Sequence, residues 1–266
     1  MTWKERVLTC IAYLRDKSYE HGYVCEFCQG ELFDYPKHRI CENCASGFKE
    51  NADPVCSKCG RKTETPGVCL LCKSCMPKFD QGVSAFEYYE NAASAINRIK
   101  NGNRRTVPYV TERMTLALLR RCPELEREFG RGRYEMNGKK LLIVSVPLSK
   151  RRKQKRGYNQ AEDLAKRVAM YLREEGFGVE TDFEVLEKRK DTSSQKDLTG
   201  AERMENLSGA FHVHKRTICK DRIILLVDDI MTTGATGSTC AKLLKGAGAK
   251  RIYFLTACAI AEQNQD

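Results

Sequence analysis

The chain has 266 residues, 41% of them hydrophobic, enough for one core of ordinary domain size with a smaller module beside it. Lys and Arg exceed Asp and Glu by 46 − 35 = 11, a surplus that favours anionic partners: phosphates, nucleic acid or a membrane surface. No apolar run reaches the roughly 18 residues of a membrane span. The opening "MTWKERVLTCIAYLRDKSYE" lacks the apolar stretch and small-residue cleavage site of a signal peptide, so a cytoplasmic location is expected.

In chain order, residues 1–20 read as a short amphipathic helix and residues 21–79 as a cysteine module. Ten of the fourteen cysteines precede residue 80, and all of these but Cys10 fall in "CEFC", "CENC", "CSKC" and "CLLCKSC". The C-x-x-C pairs Cys25/Cys28, Cys41/Cys44, Cys56/Cys59 and Cys72/Cys75 each aim two sulfurs at one point, and two such turns complete a tetrahedral thiolate site for zinc. Four turns make two sites. Sequential pairing, first with second and third with fourth, is the arrangement chosen; interleaving is the alternative, and Cys69 is spaced to replace one of its neighbours. Four thiolates leave no open position for substrate, so the expected role is structural rather than redox. The module is poor in large apolar residues, and zinc would supply the missing stability, on the order of 10–16 kcal/mol per site in small peptides. Cys10, Cys122, Cys219, Cys240 and Cys258 are scattered and read as buried thiols.

Residues 80–266 read as one domain. "SAFEYY" is a predicted strand, "NAASAINRIKNG" a helix stopped by Gly102, and 108–121 a second helix ending before Pro123. "LLIVSVPL" suits a strand buried on both faces. Residues 159–175 are the clearest helix: Leu164, Val168 and Leu172 recur every four residues, with Ala165 and Ala169 beside them and Gly176 at the end. "DFEVLEK" is a strand, and Thr199 with Glu202 forms a capping box opening "TGAERMENL". "RIILLV" is a second apolar strand, 235–247 a helix stopped by Gly248, and "RIYFLTACAI" the last strand. Strands alternating with helices predict a parallel α/β sheet. His212 and His214 alternate on a strand and read as surface residues rather than metal ligands.

The string "VDDIMTTGATGST" concentrates the chemistry. Asp228 and Asp229 end an apolar strand, where ligands of an open parallel sheet bind. Adjacent strand residues point to opposite sides, so the two acids reach different features of one ligand: sugar hydroxyls or a magnesium ion. Thr232, Thr233, Gly234, Ala235 and Thr236 then turn into a helix whose free amides and positive dipole end suit a phosphate. Acids for a diol beside a loop for phosphate describe a ribose 5-phosphate pocket. "KRRKQKR", residues 150–156, places six cations in seven positions after another strand end. It reads as a pyrophosphate contact, as a solvated charged loop, or as a surface for a nucleic-acid backbone. Tyr158 is either a base-stacking or a packing residue, and Asn159 is placed to cap the following helix.

"LLVDDIMTTGAT" resembles the signature of type I phosphoribosyltransferases, which bind 5-phosphoribosyl 1-pyrophosphate (PRPP). "VPLSKRRKQKRGYNQAEDLA", "RKDTSSQKDLTGAERMENLSGAF" and the cysteine module ahead of "PKFD" narrow the resemblance to the ComF family, over residues 25 to about 260. It implies a type I phosphoribosyltransferase-like parallel sheet with helices on both faces, behind an N-terminal double zinc ribbon. It assigns Asp228 and Asp229 to the ribose hydroxyls, residues 232–236 to the 5-phosphate, and Arg151 and Arg156 to the pyrophosphate. Asn159 becomes a site candidate, and the stretch around Thr192 and Gln195 the loop that closes over the site. Ser149 departs from the pattern, since many relatives have His there. The implied reaction is attack by an acceptor, unidentified from the sequence, on an oxocarbenium-like ribosyl centre, with magnesium accompanying PRPP. The implied setting is DNA uptake in competent bacteria or nucleotide metabolism. Alternatives are a non-catalytic adaptor that holds single-stranded DNA for uptake proteins and a PRPP-sensing regulator.

Overall fold

The computed structural model of the chain describes residues 23–33, 38–132, 138–189 and 209–262. The expected helix at 1–20, Cys10, Thr192, Gln195 and the Thr199/Glu202 capping box lie outside them. The helices are α1 (Glu42–Ser46), α2 (Leu70–Ser74), α3 (Glu90–Lys100), α4 (Val107–Arg121), α5 (Glu124–Phe129), α6 (Lys150–Arg156), α7 (Gln160–Glu174), α8 (Arg216–Cys219) and α9 (Ala235–Gly246). The strands are β1 (Gln81–Glu87), β2 (Leu141–Ser145), β3 (Val179–Thr181), β4 (Leu186–Lys188), β5 (Phe211–Val213), β6 (Ile223–Met231) and β7 (Arg251–Ala259).

Five strands form the expected parallel sheet, in the order β1-β7-β6-β2-β3. "DFEVLEK" is not one strand. Only Leu186–Lys188 pairs, and it pairs antiparallel with β5 in a separate two-stranded ribbon, while β3 supplies the sheet edge from Val179–Thr181. The basic run is not a loop either: it is α6, opened by the Ser149 hydroxyl, which accepts from the Arg152 amide at 3.4 Å, and closed by Gly157 at φ +80°.

The strands are apolar along their length because alternate residues feed two cores. Ile143, Leu225, Val227, Tyr253 and Leu255 pack with Val110, Met114 and Leu118 of α4 and Leu164, Val168 and Leu172 of α7. Leu142, Val144, Ile224, Leu226 and Phe254 pack on the opposite face with Cys240, Ala241 and Leu244 of α9. The cysteine module divides between these cores. Cys25, Phe27, Cys44 and Phe48 join the first, and Cys56, Cys59, Cys69, Cys72 and Phe79 join the second. A segment too poor in apolar residues for its own core thus borrows both faces of the sheet. It also covers the open edge of β1, where Asn51 N donates to Ala85 O at 2.9 Å and Glu87 N to Lys49 O at 3.0 Å.

β2 is the switch point. From β2 the chain moves outward through α7 to β3; from β6, on the other side of β2, it moves away through α9 to β7. Strand order therefore reverses between β2 and β6, which opens a crevice at their carboxyl ends. The pairing shows it: β2 stays with β6 only as far as Ser145↔Val227, whereas β7 follows β6 to Met231↔Ala259.

Candidate functional site

The cysteine sulfurs gather as two groups of four. Within each group the ligand atoms lie within 4.8 Å of one another: Cys25, Cys28, Cys41 and Cys44 in the first, Cys56, Cys59, Cys69 and Cys72 in the second. Zn–S bonds of about 2.3 Å at tetrahedral angles put sulfurs roughly 3.8 Å apart. Cys28 and Cys41 stand at 3.9 Å and Cys59 and Cys69 at 3.7 Å. Backbone amides aim at the sulfurs as well, Cys69 N at Cys56 Sγ (3.3 Å) and Cys41 N at Cys25 Sγ (3.4 Å), which suits thiolates. Both groups fit zinc, and the pairing is sequential.

The fourth member of the second group differs from the expectation. Cys75 is exposed and caps the C-terminal end of α2, outside the cluster, while Cys69 takes the place assigned to it. The cause is local geometry. Cys69 is the N-cap of α2 and Cys72 its third residue, so both sulfurs sit at the helix start; Cys41 and Cys44 stand the same way on α1.

In the crevice, Asp228 is half-buried and Asp229 buried, and β6 continues through both of them to Met231 rather than ending at Val227. Asp228 Oδ1 accepts from the Asp229 amide at 2.8 Å, and Asp229 Oδ1 from the Ile230 amide at 2.7 Å. Asp229 Oδ2 meets Gln160 Nε2 and Lys100 Nζ, each at 3.0 Å. Burial, and after it the charge of Asp229, raise the Asp228 carboxyl above the usual carboxylate range. The pair therefore holds a proton or a cation more readily than two exposed acids would.

Beside the acids, Thr232 is exposed, Thr233 and Thr236 are half-buried, and Gly234 and Ala235 are buried. Gly234 precedes α9 at φ +81°, and a Cβ there would meet nothing nearer than 3.8 Å. The glycine is required by the left-handed turn rather than by crowding. Thr233 Oγ1 accepts from Ala235 N at 3.3 Å, and the next amides of the first turn face the loop without an intrahelical partner.

On the other side, Lys100, Asn101, Gly102, Arg152, Lys155 and Arg156 line an open depression of about 480 Å³ with four cations and no acid. Arg156 donates to Gln160 Oε1, so a chain of polar contacts runs from this depression through Gln160 to Asp229 and back to Lys100. Arg151 does not join it. It lines a separate depression with Ser149, Lys150, Glu187, Arg189 and His214, in which the His214, Arg189 and Lys150 side chains lower Glu187 to about 2. Asn159 is the helix cap: its Oδ1 accepts from Ala161 N at 3.1 Å, and its Nδ2 donates to Val146 O at 3.0 Å. Tyr158 is a packing residue, with the Arg104 guanidinium 4.1 Å from its ring centroid and its hydroxyl bound to Ile99 O. His212 and His214 are exposed and belong to no metal-ligand cluster among the described residues.

Residues 153–266 match the phosphoribosyl transferase domain family. The chain is 27% identical to competence protein F of Haemophilus influenzae over 240 residues, covering 87% of this chain and 94% of that protein. It is 28% identical to the DNA utilization protein YhgH of Escherichia coli K12, over 81% of this chain and 89% of that one. Against competence protein ComFC of Bacillus subtilis the figure is 24%, over 80% of each. Over most of its length the chain is thus similar to proteins named competence protein F, ComFC and DNA utilization protein, and its C-terminal part matches the phosphoribosyl transferase domain family. The domain match begins within α6, whereas the similarity to ComF relatives covers most of the chain. Among the described residues no helix is long and apolar enough to cross a membrane.

Sequence reasoning missed two residues that touch Asp229. Gln160 stood beside Asn159 in "GYNQ", and its place one step inside the helix was the available clue. Lys100 had none: it ends α3, far from Asp229 in sequence, and only the packing of α3 brings it there.

Proposed function

We propose that the crevice between β2 and β6 binds PRPP and that the protein transfers its phosphoribosyl group to an acceptor in the service of DNA uptake or utilization. The observation that carries this reading is the arrangement around Asp228 and Asp229. A carboxylate pair at a strand end has an anion-binding helix start on one side and a four-cation depression on the other. The 5-phosphate would take the amides and hydroxyls of residues 232–236, and the ribose hydroxyls would take Asp228 and Asp229. The pyrophosphate would take Lys100, Arg152, Lys155 and Arg156. Magnesium travelling with PRPP would neutralise part of the pyrophosphate charge.

As the bond from the anomeric carbon to pyrophosphate breaks, negative charge grows on the leaving group and positive charge on the ribose ring. Fixed cations at the first place and a carboxylate pair at the second stabilise both. Lys100 spans the two, since it is held by Asp229 and also faces the depression. The relatives' names, competence protein and DNA utilization protein, motivate the cellular setting. Titration calorimetry with PRPP and magnesium tests the reading. The parent should bind and Asp229→Asn should bind at least tenfold more weakly, because it removes the charge facing the ribose. Equal binding by both would refute the assignment.

A further inference from the structure

Arg61 is 2% exposed, yet nothing in the proposed reaction uses it. Its guanidinium makes three contacts that belong to three parts of the molecule. Nε donates to Cys59 Sγ at 3.3 Å, in the second cysteine group. Nη2 donates to Thr232 O at 2.7 Å, the first carbonyl of the phosphate loop. Nη1 donates to Ile260 O at 3.2 Å, just past β7. We propose that Arg61 is a positioning residue that couples the second cysteine group to the phosphate loop, so that zinc on Cys56, Cys59, Cys69 and Cys72 and phosphate on residues 232–236 stabilise each other. The inference rests on the ribose-phosphate reading of that loop.

Two physical arguments support it. First, a buried guanidinium needs a counter-charge. Four thiolates around one zinc ion carry a net charge of about −2, and Arg61 touches one of those sulfurs. Neutral thiols would leave the guanidinium buried with carbonyl partners alone. Metal loading therefore favours the placement of Arg61 seen here. Second, a trans peptide points its C=O and N–H in opposite directions. Arg61 draws the Thr232 carbonyl toward the cysteine module, so the Thr233 amide points away from it, at the start of the anion-binding turn. The α9 cap residue, Gly234, has no side chain with which to hold the turn itself. A second tie runs close by, where Lys78 N donates to Ser238 Oγ at 3.0 Å.

Coupling of this kind is reciprocal. In the parent, saturating ribose 5-phosphate should slow the loss of one of two zinc ions to a chelator by about tenfold, the other ion being unaffected. Arg61→Met, which keeps length and removes the donors, should lose that slowing while still binding two zinc ions. It should also bind ribose 5-phosphate about tenfold or more weakly, a 1.4 kcal/mol effect. Hydrogen exchange gives a ligand-free measure. Amides 233–238 should exchange faster in Arg61→Met, and faster in the parent once the second zinc is removed, with β6 upstream of Asp228 and the first cysteine group unchanged. If Arg61→Met fails to fold, the zinc-stripped parent carries this arm. Loop exchange that ignores both the substitution and the zinc overturns the role of Arg61, as does a parent that holds no zinc. A parent whose loop responds in exchange but which binds neither ribose 5-phosphate nor PRPP refutes the pocket assignment and leaves the mechanical link standing.

Discussion

Replacing Cys69 or Cys75 by serine should have opposite consequences, although the two lie in one "CLLCKSC" string. Cys69 is 2% exposed, with its sulfur 3.7 Å from that of Cys59. Cys75 is exposed and outside the cluster. A four-thiolate site in a small peptide contributes roughly 10–16 kcal/mol, so one ligand in four accounts for about 2.5–4 kcal/mol. At 1.36 kcal/mol per decade, Cys69→Ser should weaken the second site by about two to three orders of magnitude. The same loss would fall on a core that includes Phe79, Phe254 and Leu244, within a total stability on the order of 5–15 kcal/mol. Elemental analysis after chelator challenge should give about two zinc per chain for the parent and Cys75→Ser, and about one for Cys69→Ser. Urea unfolding should show Cys69→Ser destabilised and Cys75→Ser near the parent. A Cys75→Ser protein that loses one zinc while Cys69→Ser keeps both would refute the ligand assignment.

Three other outcomes are expected. Gly60→Ala should destabilise by about 2–5 kcal/mol, since its φ is +74° and a Cβ would stand 2.3 Å from Gly82 O; Gly132→Ala, at φ +76° with nothing within 4 Å, should cost only the conformational part, and equal urea midpoints would refute the close packing of the module on β1. Asp228→Asn should raise the melting temperature at pH 8. Burial and Asp229 raise the Asp228 pKa, so the fold loses stability as pH rises past the unfolded value near 4, and this loss is complete above the folded pKa. The parent and variant melting curves should converge below about pH 4, and a variant less stable than the parent at pH 8 would contradict the argument. Replacing Arg151, Arg152 and Lys153 by Ala should weaken single-stranded DNA binding equally for all sequences and reduce the log-log salt slope by about 2; an unchanged slope would remove α6 from the DNA surface.

The apolar runs of β2, β6 and β7 were legible as buried strands because residues on both faces must be apolar when helices cover both. The two zinc-ribbon-like groups were legible because C-x-x-C is a local turn, closed within four residues. The string from Asp228 to Thr236 placed acids, glycine and helix start by adjacency alone. Everything that depended on distant segments meeting was decided by the tertiary structure. Whether Cys69 or Cys75 completes the second group turned on where α2 begins. Arg151 and Arg152 are neighbours in sequence, but a helix turns each residue about 100° from the last, so only Arg152 faces the acids' side. Lys100 reaches Asp229, and Arg61 reaches Thr232, only after α3 and the cysteine module pack onto the sheet. A one-dimensional pattern records periodicity and spacing, and these pairs share neither.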